Sequence, residues 1–205
     1  AYAGIPLTHR SHTSTVAFVT GQEDPTKGGS DIDWAALAGI GTCVFLMGVK
    51  NLGQITEALI SRGKPPETPA ALIHRGTTPH QKILIGALGN IVERARIHAF
   101  KPPAILVVGQ VVELRETLRW FDNRPLFGRS ILVTRAADQA GEFSAMVRSL
   151  GARVLECPTI AIVPPESWAD LDRAVGGHET FDWAIFTSFN AVRFFFQRLA
   201  AAGRD

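Results

Sequence analysis

The stretch TCVFLMGVKNLGQITEALISRG, Thr42 to Gly63, decides how the rest of the chain is read. Cys43 to Met47 is an uninterrupted apolar run, as a strand carries when both its faces are buried, and it points to a largely parallel sheet. Gly48 breaks the run, after which Leu52, Ile55 and Leu59 recur at helical spacing with polar residues between them. Gly63 is placed to close that helix in a left-handed cap, and Pro65 and Pro66 prevent it from continuing. After Pro69 a second apolar run, Ala70 to Ile73, leads into Gly76-Thr77. Strand, helix and strand in that order make the crossover unit of an α/β sheet. Both strands run into a glycine, so two loops are expected to open where such sheets take ligands. Gly48 and Gly76 would let a ligand approach backbone closely, and Met47 offers a flexible thioether suited to a flat ring.

Composition narrows the class. Of 205 residues, 46% are hydrophobic and 20% charged, which suits a globular protein with a real core. A net charge of +2 with both signs interspersed gives no stripe for nucleic acid. No apolar segment reaches the length of a membrane span, and no signal peptide is visible. Cys43 and Cys157 each sit in an apolar, strand-like run and read as reduced core residues of a cytoplasmic protein. The chain starts without methionine and stops just after a helix, so it reads as an excerpt from a longer protein.

Along the chain, Ser14 to Thr20 alternates as a strand, and Gly21 to Asp31, with Pro25, Gly28 and Gly29, reads as a loop. Asp33 is positioned to cap a short helix, Trp34 to Ala38. Gln81 to Ala87 reads as a strand, and Leu88 to His98 as a helix with Leu88, Ile91 and Ala95 inward. Pro102 and Pro103 stop that element, and Ala104 to Val108 is a third buried strand that Val111 to Leu114 continues beyond Gly109. A composition break at Pro125 to Arg129 divides the chain into domains 1–124 and 125–205. The second opens on a strand, Ser130 to Thr134, and a helix from about Gln139 with Phe143, Met146, Val147 and Leu150 inward. It continues with a strand-like Val154 to Val163, a helix Trp168 to Val175, a strand Trp183 to Thr187 and a helix Asn190 to Ala202. The fold class is α/β throughout.

Several chemistries find no support. There is no Gly-x-Gly-x-x-Gly fingerprint and no Walker loop. His9 and His12 lack a third ligand, so no metal site is expected. Ser188 lies between a strand and a helix, but Phe186 and Asn190 stand where a nucleophile elbow has glycines; a helix cap is the simpler reading. Arg10 is able to hold a carboxylate, or simply to stay solvated.

Five motifs carry a resemblance. GIPLTHR at Gly4–Arg10, VTGQ at Val19–Gln22, LMG at Leu46–Gly48, TPAALIHRGTTPHQ at Thr68–Gln81 and PAILVVGQVVELR at Pro103–Arg115 follow in order. Together they resemble the C-terminal half of uroporphyrinogen-III C-methyltransferases, a tetrapyrrole methylase family, over Ala1 to about Asn123. The resemblance implies S-adenosyl-L-methionine as cofactor and methylation of two ring carbons of uroporphyrinogen III, giving precorrin-2 for sirohaem and cobalamin. By position it implies that Leu46, Met47 and Gly48 with Gly76 and Thr77 meet the cofactor, and that Arg10 lies near the substrate carboxylates. It also implies a homodimer formed through the methylase part. Leu46 replaces the family's usual Tyr, and Ala87 a common Thr. The family's N-terminal half, with its acid/base candidates, has no counterpart here, so no catalytic residue is assigned.

GRSILVTR at Gly128–Arg135, Gly151-Ala152, and DWAIFTSFNAV at Asp182–Val192 resemble the start of uroporphyrinogen-III synthase. That implies a partial Rossmann-like α/β unit, hydroxymethylbilane as its substrate, and Thr134, Arg135, Thr187, Ser188 and Asn190 as loop groups near the substrate carboxylates. As caps and turn-formers these residues have an equally simple explanation. Two alternatives stay open: a non-catalytic folding and dimerisation module, or methylation of a later corrin intermediate.

Overall fold

Apolar runs without polar interruption need cover on two sides, and the first part of the chain supplies it. The computed structural model describes residues 1–23, 30–177 and 180–203; the loop expected around Pro25, Gly28 and Gly29 lies outside them. Five strands, β1 (Val16–Thr20), β2 (Thr42–Leu46), β3 (Pro69–His74), β4 (Lys82–Ala87) and β5 (Ala104–Val108), form one sheet in the order β1-β2-β5-β3-β4. Helices α1 (Trp34–Gly39), α2 (Leu52–Ser61) and α3 (Ile91–Ile97) connect them.

The sheet is mixed, not largely parallel. Only β1 and β2 pair parallel, while β2–β5, β3–β5 and β3–β4 are antiparallel. The reason is where β5 goes: it inserts between β2 and β3, running against both. The β2–α2–β3 crossover does join strands of the same direction, but with one position skipped. The β4–α3–β5 connection skips β3 in the same way.

Side chains alternate across the sheet as a two-residue period dictates. Cys43, Phe45, Ala70, Leu72, Leu106 and Val108 face a core completed by Leu52, Ile55 and Leu59 of α2 and by Ile91 and Ala95 of α3. Val44, Ala71 and Val107 face the opposite side, where Ala3, Ile5, Val111 and Val112 cover them. Asp33 caps α1 by accepting a hydrogen bond from the Ala36 N–H at 3.0 Å, as its position suggested. Gly63 takes φ +99° after α2. Beyond Gly109 (φ +145°) the chain does not extend β5; Gln110–Leu114 is a 3-10 helix. Val111 and Val112 are both buried, and two adjacent inward side chains suit a helical turn, not a strand.

Strands β6 (Ser130–Val133) and β7 (Arg153–Glu156) pair in a two-stranded sheet, and α5 (Ala137–Ser149) lies between them in sequence, after the short α4 (Arg115–Leu118). The inward row of α5 differs from expectation: Ala140, Ser144 and Val147 are buried, while Phe143, Met146 and Leu150 keep a third or more of their surface exposed. A two-stranded sheet has too little surface to cover a row of bulky side chains. The strand expected over Val154 to Val163 stops at Glu156. Pro158 lacks the N–H that a ladder needs, although Cys157 N–H still reaches the Val133 carbonyl at 2.9 Å. Trp183 to Thr187 is not a strand either; Trp183 and Ile185 are each 85% exposed, and no strand pairs with them among the described residues. Helices α6 (Ala169–Gly176) and α7 (Phe189–Ala201) pack on each other through a bidentate Arg198–Asp172 pair at 2.7 Å and the Trp168–Phe194 rings.

The chain forms two compact units. One comprises 1–132 with 142–155, the other 133–141 with 156–205. Within the first, residues 125–132 are held by a Leu126 N–H to Leu150 carbonyl bond and an edge-on Phe121–Phe127 contact.

Candidate functional site

The sheet order brings three loops to one edge. β2 and β3 end there and β5, running the other way, begins there, so the segments after Leu46 and His74 and before Ala104 surround a cleft of about 610 Å³. That volume lies in the range of small-molecule sites, about 300–1,000 Å³. Its walls are mostly apolar: Leu46, Met47 and Val49 on one side, Ile73, Pro103 and Ile105 on the other. The polar side chains lining it are Gln22, Lys50, Arg75 and Thr77; no carboxylate lines it among the described residues.

Backbone strain gathers at this cleft. Met47 (φ +57°), Arg75 (φ +46°) and Thr77 (φ +68°) hold left-handed conformations, and only Ala99 does so elsewhere among the described non-glycine residues. Each such residue costs roughly 1 kcal/mol or more and persists only where neighbours fix it. The neighbours here are identifiable. Gly21 N–H donates to the Leu46 carbonyl at 2.7 Å, and Asn51 Nδ2 donates to the Gly21 carbonyl at 2.9 Å. Arg75 N–H donates to the Pro103 carbonyl at 3.3 Å, and Thr78 Oγ1 to the Arg75 carbonyl at 2.8 Å. Thr77 N–H donates to Gln81 Oε1 at 3.0 Å.

Leu46, Met47, Gly76 and Thr77, expected at the cofactor, all line the cleft, and Met47 is 60% exposed. Gly48 does not line it. A Cβ there would meet Ile55 Cδ1 at 2.8 Å, and one on Gly21 would lie 2.5 Å from Gly48 Cα. Gly21 is therefore the glycine that lets the two loops touch, while Gly48 leaves room for the Ile55 side chain. Arg10 is exposed beside the His9–Thr13 bridge and is absent from the cleft lining; the cations that line it are Lys50 and Arg75. Pro102 to Ile105, which read as the stop of one element and the start of another, form the far wall. Only the insertion of β5 between β2 and β3 puts them there, and no local pattern announces it.

His74, just before Arg75, has its imidazole pKa lowered, first by burial and then by the Arg75 and Lys82 cations. It stays neutral to lower pH than an ordinary histidine. Burial raises the Cys43 thiol, with Lys64 opposing, so Cys43 is a protonated core group donating to the Leu37 carbonyl at 3.4 Å. Cys157 is exposed, contrary to the core position its apolar surroundings suggested. The rings of His9 and His12 lie 5.0 Å apart, and no metal-binding cluster occurs among the described residues.

Local hydrogen bonds occupy three of the residues expected near a second substrate. Ser188 caps α7, its Oγ accepting the Ala191 N–H at 3.1 Å. The Thr134 carbonyl accepts from Thr159 N–H at 3.4 Å and from its hydroxyl at 3.1 Å. Asn190 accepts from Gln139 Nε2 at 3.2 Å, and Arg135 and Thr187 are exposed. A depression of about 470 Å³ beside the start of α5 is lined by none of the five.

With this geometry in place, likeness to known proteins is informative. Residues 1–92 match the family model of tetrapyrrole (corrin/porphyrin) methylases, and residues 141–205 that of uroporphyrinogen-III synthase HemD. The porphyrin biosynthesis protein HemD of Ruminiclostridium josui is 37% identical over 206 residues, taking in 100% of this chain and 40% of that protein. The uroporphyrinogen-III C-methyltransferase of Bacillus subtilis is 37% identical over 205 residues, again across 100% of this chain and 42% of its own length. The S-adenosyl-L-methionine-dependent uroporphyrinogen III methyltransferase of Methanosarcina barkeri is 54% identical over 119 residues, 58% of this chain and 47% of that protein. The chain thus spans less than half the length of these curated relatives.

Proposed function

Since this chain joins a tetrapyrrole methylase segment to a uroporphyrinogen-III synthase segment, we propose that it belongs to a protein that C-methylates uroporphyrinogen III to precorrin-2. The synthase segment would serve the preceding cyclisation of hydroxymethylbilane, which needs no cofactor. The junction near Pro125 lies between the two matched stretches. Making a substrate and methylating it in one polypeptide is chemically economical. A homodimer through the methylase part and a cytoplasmic setting accompany this reading; no described helix is long and apolar enough to cross a membrane.

One observation carries it: the apolar, strained cleft at the strand ends takes in four of the five residues expected at the cofactor. The lining suits the adenosyl part of S-adenosyl-L-methionine. Met47, Ile73 and Ile105 would bury the flat base, and the backbone at Gly76 and Thr77 supplies polar atoms beside it. Lys50 and Arg75 suit a carboxylate, of the cofactor's amino-acid end or of a substrate arm. When bound, the cofactor supplies an electrophilic methyl on a sulfonium. What these residues contribute is orientation and exclusion of water from one side of the ligand. Among the described residues, no carboxylate or imidazole lines the cleft to take the proton that the methylated carbon must lose.

Calorimetric titration of the chain with S-adenosylhomocysteine tests the reading. Binding is expected in the micromolar range, about −8 kcal/mol. Met47→Asn keeps a residue that tolerates the left-handed turn but removes the thioether; it should weaken binding about tenfold, roughly 1.4 kcal/mol, without lowering Tm. A folded chain that binds no S-adenosylhomocysteine refutes the assignment of this cleft.

A further inference from the structure

We propose that Gln81 is a positioning residue for this cleft: it fixes the strained rim at Arg75–Thr77 and ties it to the N-terminal segment. The inference rests on the cofactor reading above. Gln81 lies outside the cleft, at the close of the turn begun by the Thr78 carbonyl, which accepts the Gln81 N–H at 3.0 Å. The residue is 5% exposed. A buried primary amide is costly unless both its ends are used, and here they are: Oε1 accepts the Thr77 N–H at 3.0 Å, and Nε2 donates to the Tyr2 carbonyl at 3.2 Å. The amide's orientation is fixed by these partners, since a backbone N–H needs an acceptor and a carbonyl a donor.

The two partners differ in what they need. Thr77 sits at φ +68° with Arg75 two residues earlier at φ +46°, so this rim would relax toward ordinary backbone angles without a restraint. Tyr2, in contrast, is well held. Its ring lies 5.2 Å from Trp120 and 4.8 Å from Phe121, and the Arg124 guanidinium stands over both of those rings. Arg115 also donates to the neighbouring Ala3 carbonyl and pairs with Asp122. Gln81 therefore bridges an aromatic cluster to a strained ligand-facing loop. Its effect on a ligand passes through the Thr77 backbone and not through contact.

Two variants separate positioning from packing. Gln81→Met matches the side chain's length but makes neither hydrogen bond; Gln81→Glu keeps an acceptor for Thr77 and gives up the donor to Tyr2. In Gln81→Met the Thr77 amide should exchange with solvent about tenfold faster and S-adenosylhomocysteine should bind about tenfold more weakly. In Gln81→Glu, which keeps the Thr77 restraint but loses the tie to Tyr2, both effects should be smaller, about threefold, even where Tm falls as far as in Gln81→Met. Equal affinity in all three proteins, or equal loss in both variants, overturns the proposal and leaves Gln81 a packing residue. If the folded wild-type chain binds no S-adenosylhomocysteine, the cofactor reading fails instead. Thr77 exchange then decides the positioning role alone, and unchanged exchange in Gln81→Met overturns it.

Discussion

Phe45→Ala is expected to cost about 3–5 kcal/mol of stability, the largest loss from any single core truncation in the first unit. Phe45 is fully buried near the end of β2. It stands across from Leu106 of β5 and lies nearly parallel to Trp34 of α1, with ring centroids 6.1 Å apart. Truncation would leave a cavity between the sheet and α1 that rigid strands on either side cannot close. The strand also carries Leu46 and Met47 into the cleft, so the cavity would loosen the site's backbone as well. Urea unfolding checks this: the midpoint should fall steeply with the slope unchanged. A loss below about 1 kcal/mol would mean that the sheet is not the rigid support described here.

Gly21→Val should be nearly as damaging, at about 2–3 kcal/mol, and more so for binding. Even the first carbon of a side chain there would lie 2.5 Å from Gly48 Cα and 3.0 Å from Ile55 Cδ1. A methyl group can turn away, but backbone cannot, so the loops after β1 and β2 must part. The Gly21 N–H to Leu46 carbonyl bond and the Asn51 bond to the Gly21 carbonyl would go with them. These are the restraints that hold Met47 at φ +57°. Thermal unfolding together with titration by S-adenosylhomocysteine should show lowered Tm and affinity reduced at least about tenfold. A folded Gly21→Val chain with wild-type affinity would show that the loop contact does not set the cleft.

The sequence-level reading succeeded where the decisive interactions are local. An apolar run, a glycine break, a 3.6-residue period and a Gly-Pro stop placed β2, α2 and β3 to within about two residues. Ser188 and Asp33 were legible as caps for the same reason: a cap bonds an N–H only three residues on. Met47, Gly76 and Thr77 could be placed at a ligand cleft because strand ends in α/β sheets form such clefts.

What escaped depends on pairing between distant segments. The insertion of β5 decides that the sheet is mixed and that Pro102 to Ile105 form the far wall, yet nothing within that segment signals its neighbours. The crowding at Gly48 comes foremost from the Ile55 side chain, and the close approach of Gly21 to Gly48 joins two loops far apart in sequence. Left-handed angles at Met47, Arg75 and Thr77 are imposed by tertiary contacts on side chains that give no hint of them. In the second unit, Trp183 to Thr187 has the apolar run of a strand but remains unpaired among the described residues, since a strand exists only by hydrogen bonding to another.

The most direct test of the account is hydrogen exchange of the chain with and without S-adenosylhomocysteine, followed peptide by peptide. At ligand near 100 times Kd, exchange that requires opening of the liganded site should slow by up to about 100-fold. The account predicts that slowing at Leu46 to Lys50, at Arg75 to Thr77 and at Ala104-Ile105, three segments that meet only through the sheet order. α7, in the second unit, should be unaffected. Protection absent from these three segments, or confined to the second unit, would contradict the account.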